Sequence, residues 1–406
     1  MTDNPDGRRR LLFVSPTWPR PTGNGLAMRA AHVIRAYSTR FRVQVAVLSD
    51  MNGPEVGEAP PEGCEACEAL PVRADTYFSL VRRIRDDRER FAAFATYPRP
   101  VDSRLVSPEA TDRVTELAAQ VDVVHLMRLY LAPLIETVAQ RKTRPMLILD
   151  CDDDDAAYHR SRATRVDPVL NLEERQFELA EADKYEAMKT QWLPLFDRVL
   201  VASPADIGQM SQAATVTCLP NVVEAPRAAP TIDRDPHTLR VLFVGNLGYP
   251  PNADAVQWLS NDLAPVLAKR WPGRLTIEVV GGGLENSGDL HPTLNLRGYV
   301  ADLGPSYARC DVAVAPLRFG SGTPIKVIEA MAAGVPVVAT AFAAFRLGAR
   351  DGVDVLIADD AADFADACIR FKQDSTLRAA ATGKARSLAE QRYSPAALER
   401  LLATIV

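Results

Sequence analysis

The residues best placed to do chemistry lie in one stretch, Pro316 to Gly334. There Gly320-Ser321-Gly322-Thr323-Pro324 leads into an apolar, periodic run that starts at Ile325. Thr323 is a good N-cap and Pro324 is pre-set for a first helical position, so the pattern predicts a helix over Pro324–Ala333. The open amides and positive end of such a helix attract an anion. Lys326 and Glu329 are three apart and share a face. Lysine is scarce, with seven in the chain, and Arg318 stands just ahead of the glycines. A phosphate would accept from the amides of Ser321, Gly322 and Thr323 and from Lys326, while the Glu329 carboxylate suits a sugar diol. The plain alternative is a capped helix with one surface ion pair, worth ~0–1 kcal/mol.

A second cluster is Asp150-Cys151-Asp152-Asp153-Asp154-Asp155. Hard carboxylates at this spacing suit Mg²⁺ or Mn²⁺. They equally suit an amine-bearing acceptor held by Asp152 and Asp155, because packed carboxylates repel unless a cation sits among them. A solvated acidic loop is the bland reading. His125 and Arg128 close the run from Val121 and are candidates for catalysis; a histidine at a strand end is often merely hydrogen-bonded structure. The loop Pro16 to Gly25 carries Gly23 and Gly25, where a ligand can approach the backbone, and Arg29 lies one turn into the next helix. Neither glycine loop is a dinucleotide fingerprint, since Met28 and Asn286 stand where the third glycine belongs, and NAD is not expected. Cys64 and Cys67 have redox or zinc spacing but no accompanying pair, which favours a structural role. Arg82, Arg83, Arg85, Arg88 and Arg90 are nearly neutralised by Asp86, Asp87 and Glu89 and read as a solvated helix face rather than a membrane contact.

These residues need a frame. The chain has 406 residues, 47% apolar and 24% charged, with a net charge of −5. That composition predicts a globular protein of about two domains and argues against nucleic acid as a partner. No apolar run reaches the ~18 residues of a membrane span, and a cytoplasmic protein with reduced thiols is the expectation. Short β-branched runs alternate with longer amphipathic ones in both halves, the signal for parallel sheets with crossover helices. In the first half strands are expected at Leu11–Ser15, Val43–Leu48, Val121–His125, Met146–Asp150, Val199–Ala202 and Val216–Leu219. Helices are expected at Leu26–Ser38, Tyr77–Ala95, Pro108–Ala119, Leu131–Gln140, Asn171–Leu193 and Pro204–Gln212. In the second half strands are expected at Leu239–Val244, Leu275–Val280, Leu294–Arg297, Val312–Ala315 and Val335–Ala339. Helices are expected near Ala253–Arg270, Asp302–Ala308 and from Asp360 onward. The reading is α/β, two doubly wound Rossmann-like domains facing a central cleft, with ligands beyond the carboxyl ends of the strands. Its parts are residues 1–222, a linker at 223–238, a second domain at 239–390 and a closing helix at 391–406.

The second half resembles the nucleotide-sugar-binding domain of GT-B retaining glycosyltransferases, family 4 (glycosyl transferases group 1). The resemblance rests on Phe243-Val244-Gly245-Asn246, Val279 to Gly283, Leu296 to Val300 and, above all, Gly322 to Val338. The loop with Gly23, Gly25 and Arg29 is similar to the family's acceptor-side glycine loop. The resemblance implies that Glu329 binds the donor's ribose and that backbone near Val300 reads the base. Asn246, Arg318, Ser321, Gly322, Thr323 and Lys326 would line the donor's diphosphate and sugar. Two positions depart from the family pattern: Ser321 stands where an earlier glutamate is usual, and Met127 where a histidine is usual. The loop from Gly245 to Asn252 carries no basic residue, so Lys326 and Arg318 are the expected counterions. The implied activity moves a sugar from a nucleoside diphosphate sugar to a small-molecule or glycan acceptor with retention and without a metal or other cofactor. An isomerase such as a nucleotide-sugar 2-epimerase, or a catalytically degraded partner protein on the same fold, are the alternatives.

Overall fold

The computed structural model describes residues 7–48, 58–70, 72, 76–166, 169–225, 235–283 and 289–406. Much of the expected linker (226–234), and Asn286 with its neighbours, lie outside the described residues. The chain forms two compact units, Met1–Leu219 with Glu399–Val406, and Pro220–Leu398.

The first unit is built on a sheet of seven strands. They are β1 (Arg9–Ser15), β2 (Phe41–Leu48), β3 (Cys64–Leu70), β4 (Val123–Met127), β5 (Met146–Asp152), β6 (Arg198–Val201) and β7 (Val216–Cys218). Their order is β3-β2-β1-β4-β5-β6-β7 and their pairings are parallel. The second unit has six parallel strands: β8 (Thr238–Val244), β9 (Arg274–Val280), β10 (Leu294–Gly298), β11 (Val312–Ala315), β12 (Val337–Ala339) and β13 (Leu356–Ile357). Their order is β10-β9-β8-β11-β12-β13. Leu11, Leu12, Phe13 and Val14 in β1, and Val241, Leu242 and Phe243 in β8, are buried, as central strands covered on both faces must be. Strand order reverses between β1 and β4 and again between β8 and β11. Connections leave in opposite directions there, and a crevice opens at the carboxyl ends.

Several elements depart from expectation for local reasons. The edge strand β3 has no β-branched residue; Arg42 pairs with Glu65, and Arg113 grips Glu68 at 3.1 Å. It carries Cys64 and Cys67, and burial pushes the Cys67 thiol up to about 12, which disfavours a reactive thiolate. The helix expected at Tyr77–Ala95 breaks into Thr76–Val81 and Asp87–Ala95, the second capped by Asp86 on the Glu89 amide at 3.0 Å. Leu131–Gln140 is a 3-10 segment, Leu129–Ile135 with Pro133 inside it, followed by one short turn. The acidic run ends β5 and opens an unexpected helix, Asp155–Ala163, whose N-cap is Asp154. The helical run from Pro250 to Arg270 contains a wide π turn at Leu259–Leu263. Near the glycines the helix starts at Ile325; Pro324 occupies the cap position, so Thr323 is not the cap.

Candidate functional site

At the reversal point of the first sheet the structure assembles a buried ionic network. Arg29 donates to both Asp150 oxygens at 2.8 Å and to the Leu219 carbonyl at 2.9 Å. Burial alone would lower the Arg29 guanidinium and raise the Asp150 carboxyl. The pair reverses both, holding Arg29 above its ordinary value and Asp150 well below the usual carboxylate range. Arg29 is thus a buried counterion at 3% exposure, which corrects its expected place against an acceptor.

His125 is also corrected. Its position in β4 lies between Phe13 and Ile148 of the neighbouring strands, and its side chain is fully buried. The ring stacks on Phe13 at 4.7 Å, with Tyr37 Oη at 3.0 Å from Nδ1 and Asp150 at 3.3 Å from Nε2. Burial lowers its pKa despite Asp150, so a neutral core histidine results. β4 runs two residues beyond the expected end, and Arg128 becomes the residue that leaves it.

Arg128 and Asp152, at the ends of neighbouring strands, both have left-handed backbone, with φ of 72° and 58°. Non-glycine residues hold that conformation only when their surroundings impose it. Arg128 bonds Asp155 and lies 3.7 Å from Asp152 and 3.6 Å from Asp153. Lys189 meets Asp154 at 2.6 Å. The carboxylates therefore face the chain's own cations, not a solvated loop, and Asp152 and Asp155 are not an open patch for an amine. Burial, resisted by Arg128 and reinforced by Asp153, pushes Asp155 up to about 7. Among the described residues no group of three or more metal-ligating side chains is assembled. Gly23, by contrast, has φ of 105° and open space above it, and Gly25 begins a helix capped by Asn24 on the Ala27 amide.

The second unit's reversal point is lined by loops. Lys326, on the helix Ile325–Ala332, reaches to the start of the helix at Pro250 and bonds Asn252 Oδ1 at 2.5 Å. The contact joins the helices that follow the loops after β8 and β11. The ammonium also sits 4.9 Å from the centroid of Phe243. Burial lowers Lys326 to about 7 against the pull of Glu329. Glu329 is raised by burial, opposed by a bond from Tyr307 Oη at 3.2 Å and by Lys326. The expected surface ion pair is thus replaced by two desolvated groups, each with another partner. Asn246 folds its loop, accepting from the Gly248 amide at 3.0 Å and, through its carbonyl, from Asn252 at 2.8 Å. Arg318 is gripped by Asp254 at 2.9 and 2.5 Å. Gly322 is tied to Arg346 through its carbonyl; Ser321, Gly322 and Thr323 form the approach to the helix, with Thr323 8% exposed. Val300 is half-buried beyond β10.

Sequence reasoning missed Asn252 and Tyr307, which hold Lys326 and Glu329. A signal for Asn252 existed: it follows two prolines at a helix start, directly after the glycine loop.

Residues 238–374 match the model of the family described as glycosyl transferases group 1. A phosphatidyl-myo-inositol mannosyltransferase of Mycolicibacterium smegmatis is 35% identical over 179 residues, 41% of this chain and 45% of that protein. The Mycobacterium leprae protein of the same name is 39% identical over 109 residues, 25% and 29% of the two chains. The aligned stretch thus spans less than half of these relatives. Among solved structures, a sucrose-phosphate synthase from Thermosynechococcus elongatus superposes with a TM-score of 0.67 at 16% identity, covering 98% of each chain. Anabaena HepE in complex with UDP and glucose superposes with a TM-score of 0.62 at 16% identity, covering 98% of this chain and 99% of that one. Among the described residues no helix is long and apolar enough to cross a membrane. The fold is GT-B, and residues 238–374 resemble the glycosyl transferases group 1 family.

Proposed function

We propose that this chain transfers a sugar from a nucleoside diphosphate sugar to an acceptor nucleophile, with retention of configuration and no metal, the donor binding the second unit. The observation that carries this reading is Lys326 held on Asn252 between the loops after β8 and β11. A desolvated ammonium there is the cation a diphosphate needs in a chain whose net charge is −5. Binding an anion would draw Lys326 back toward its protonated form. Glu329, raised and bonded by Tyr307, is suited to a ribose diol. The group 1 match over this region and a structural neighbour bound to UDP support the donor class.

On this reading the acceptor binds the first unit, near the open backbone at Gly23. The acceptor oxygen forms a bond to the anomeric carbon as the bond from that carbon to the phosphate oxygen breaks. The acceptor proton passes to the leaving phosphate, so no protein base is required. Lys326 would stabilise the charge gathering on that phosphate.

The test is thermal stabilisation by UDP, GDP, ADP and dTDP of the wild type, Lys326→Ala and Glu329→Ala. A ligand at 100 times its Kd stabilises by ~2.7 kcal/mol. One nucleotide should raise the wild-type Tm, with the shift lost in both variants. No shift with any of them overturns the donor reading, and an unchanged shift in Lys326→Ala overturns the role of that lysine. Turnover of the matching nucleotide sugar only when an acceptor is present separates transfer from isomerisation.

A further inference from the structure

The glycine loop after β11 is tied down by a helix that no part of the donor reading uses. That helix, Ala341–Leu347, follows β12. Its cap residue Thr340 donates from its hydroxyl to the Leu317 carbonyl, and Arg346 donates to the Gly322 carbonyl. One helix thus holds the loop at both ends of its glycine stretch. Arg346 is 8% exposed, and its guanidinium lies 5.9 Å from the centroid of Phe342. Gly320 and Gly322 have left-handed backbone, with φ of 126° and 69°. On the other flank Gly320 packs on the helix that starts at Pro250: a Cβ there would lie 3.2 Å from Pro251 and 3.5 Å from Tyr249 Oη. Glycine has the most backbone freedom to lose, so this stretch resists ordering. Holding it in one shape before a ligand arrives is preorganisation.

We propose that Arg346 is a positioning residue for the donor's phosphate, holding the Gly322 carbonyl from behind so that the glycine loop keeps the shape that receives it. This rests on the donor reading above and deepens it by naming a residue that acts on the phosphate through the backbone. The strand order gives the direction. Order β8-β11-β12 puts Arg346 and Asn252 on opposite sides of the loop after β11. The peptide that joins Gly322 to Thr323 is planar and trans, so its N–H points opposite to its carbonyl. With the carbonyl turned to Arg346 on the β12 side, the Thr323 amide is turned toward the β8 side, where Lys326 rests on Asn252. The planar guanidinium suits this work, because its N–H groups diverge at fixed angles and it stays charged when buried. A lysine could offer one bond but not that fixed geometry.

The test is calorimetric titration of wild type, Arg346→Met and Arg346→Lys with UDP, GDP, ADP and dTDP. The matching monophosphate is then measured by displacement of whichever diphosphate binds. The readout is the ratio of the two affinities, which isolates the distal phosphate from the base and ribose. Loss of the tie predicts about a tenfold fall in that ratio in Arg346→Met. Arg346→Lys should fall less, since one donor returns. An unchanged ratio in either variant that folds overturns the role of Arg346 while leaving the donor reading intact. Equal weakening of monophosphate and diphosphate does the same, because it marks Arg346 as part of the fold alone. Absence of diphosphate binding by the wild type overturns the donor reading and this role with it.

Discussion

The two sheets reverse their strand order in the same way and finish that point in opposite ways. In the first unit the strand ends carry Asp150, Asp152 and Arg128, and the charges are closed on one another through Arg29 and Asp155, with Lys189 closing Asp154 beside them. In the second unit the strand ends carry glycines, and two desolvated groups, Lys326 and Glu329, rest on neutral partners. The strand order of a doubly wound sheet supplies only a position. Whether that position holds the fold together or holds a ligand depends on whether its charges are already matched. Matched buried charges are costly to separate; a half-buried lysine on a neutral amide gains most when an anion arrives.

The largest effect should come from unmatching the first site. Asp150→Ala leaves Arg29 buried beside a void and should destabilise the first unit by roughly 3–5 kcal/mol in urea unfolding. Equal stability would mean that this network is no more structural than the second unit's. Next is Gly281→Ala, whose methyl cannot coexist with the Gly245 carbonyl. It should lower stability by about 2–3 kcal/mol and abolish the nucleotide-induced Tm shift, because the loop after β8, which leads to Asn252, moves. A variant with wild-type Tm and nucleotide response would break the link between those loops and the site.

The smallest is a slope. Burial pushes Asp155 above its ordinary value of 3.8, to about 7, so the folded protein holds this proton longer. Its contribution is fully present below pH ~4 and is lost as pH rises through 7. Asp155→Asn should flatten the fall in stability between about pH 4 and 7; an unaltered slope would place the titration elsewhere.

Sequence alone reached the strand order's consequences but not its chemistry. β1, β2, β8 and β9 were legible because buried parallel strands are nearly continuous apolar runs. β3 was not, since Cys64 to Leu70 has no β-branched residue and gains its strand pairing from the edge of β2. The helix at Asp155 was hidden by composition: five aspartates look like a solvated loop, yet Asp154 is simply its cap. Lys326 and Glu329 could be placed on one face by spacing. Their partners could not, because Asn252 is 74 residues from Lys326 and Tyr307 is 22 from Glu329. His125 shows the reverse error. Two extra residues in β4 moved the strand's end to Arg128 and left His125 inside the strand.

The π turn at Leu259–Leu263 has a reach beyond its own five residues. Each residue advances an α-helix by about 100°, and a wide turn absorbs roughly one residue without that advance. Everything upstream is consequently rotated against Leu263 and Leu267, which anchor the downstream half in the core. Asn252 lies upstream. The azimuth at which it meets Lys326 is therefore set by a phase slip about two turns away. A single-residue deletion there, far from any ligand, would re-aim the amide on which the lysine rests.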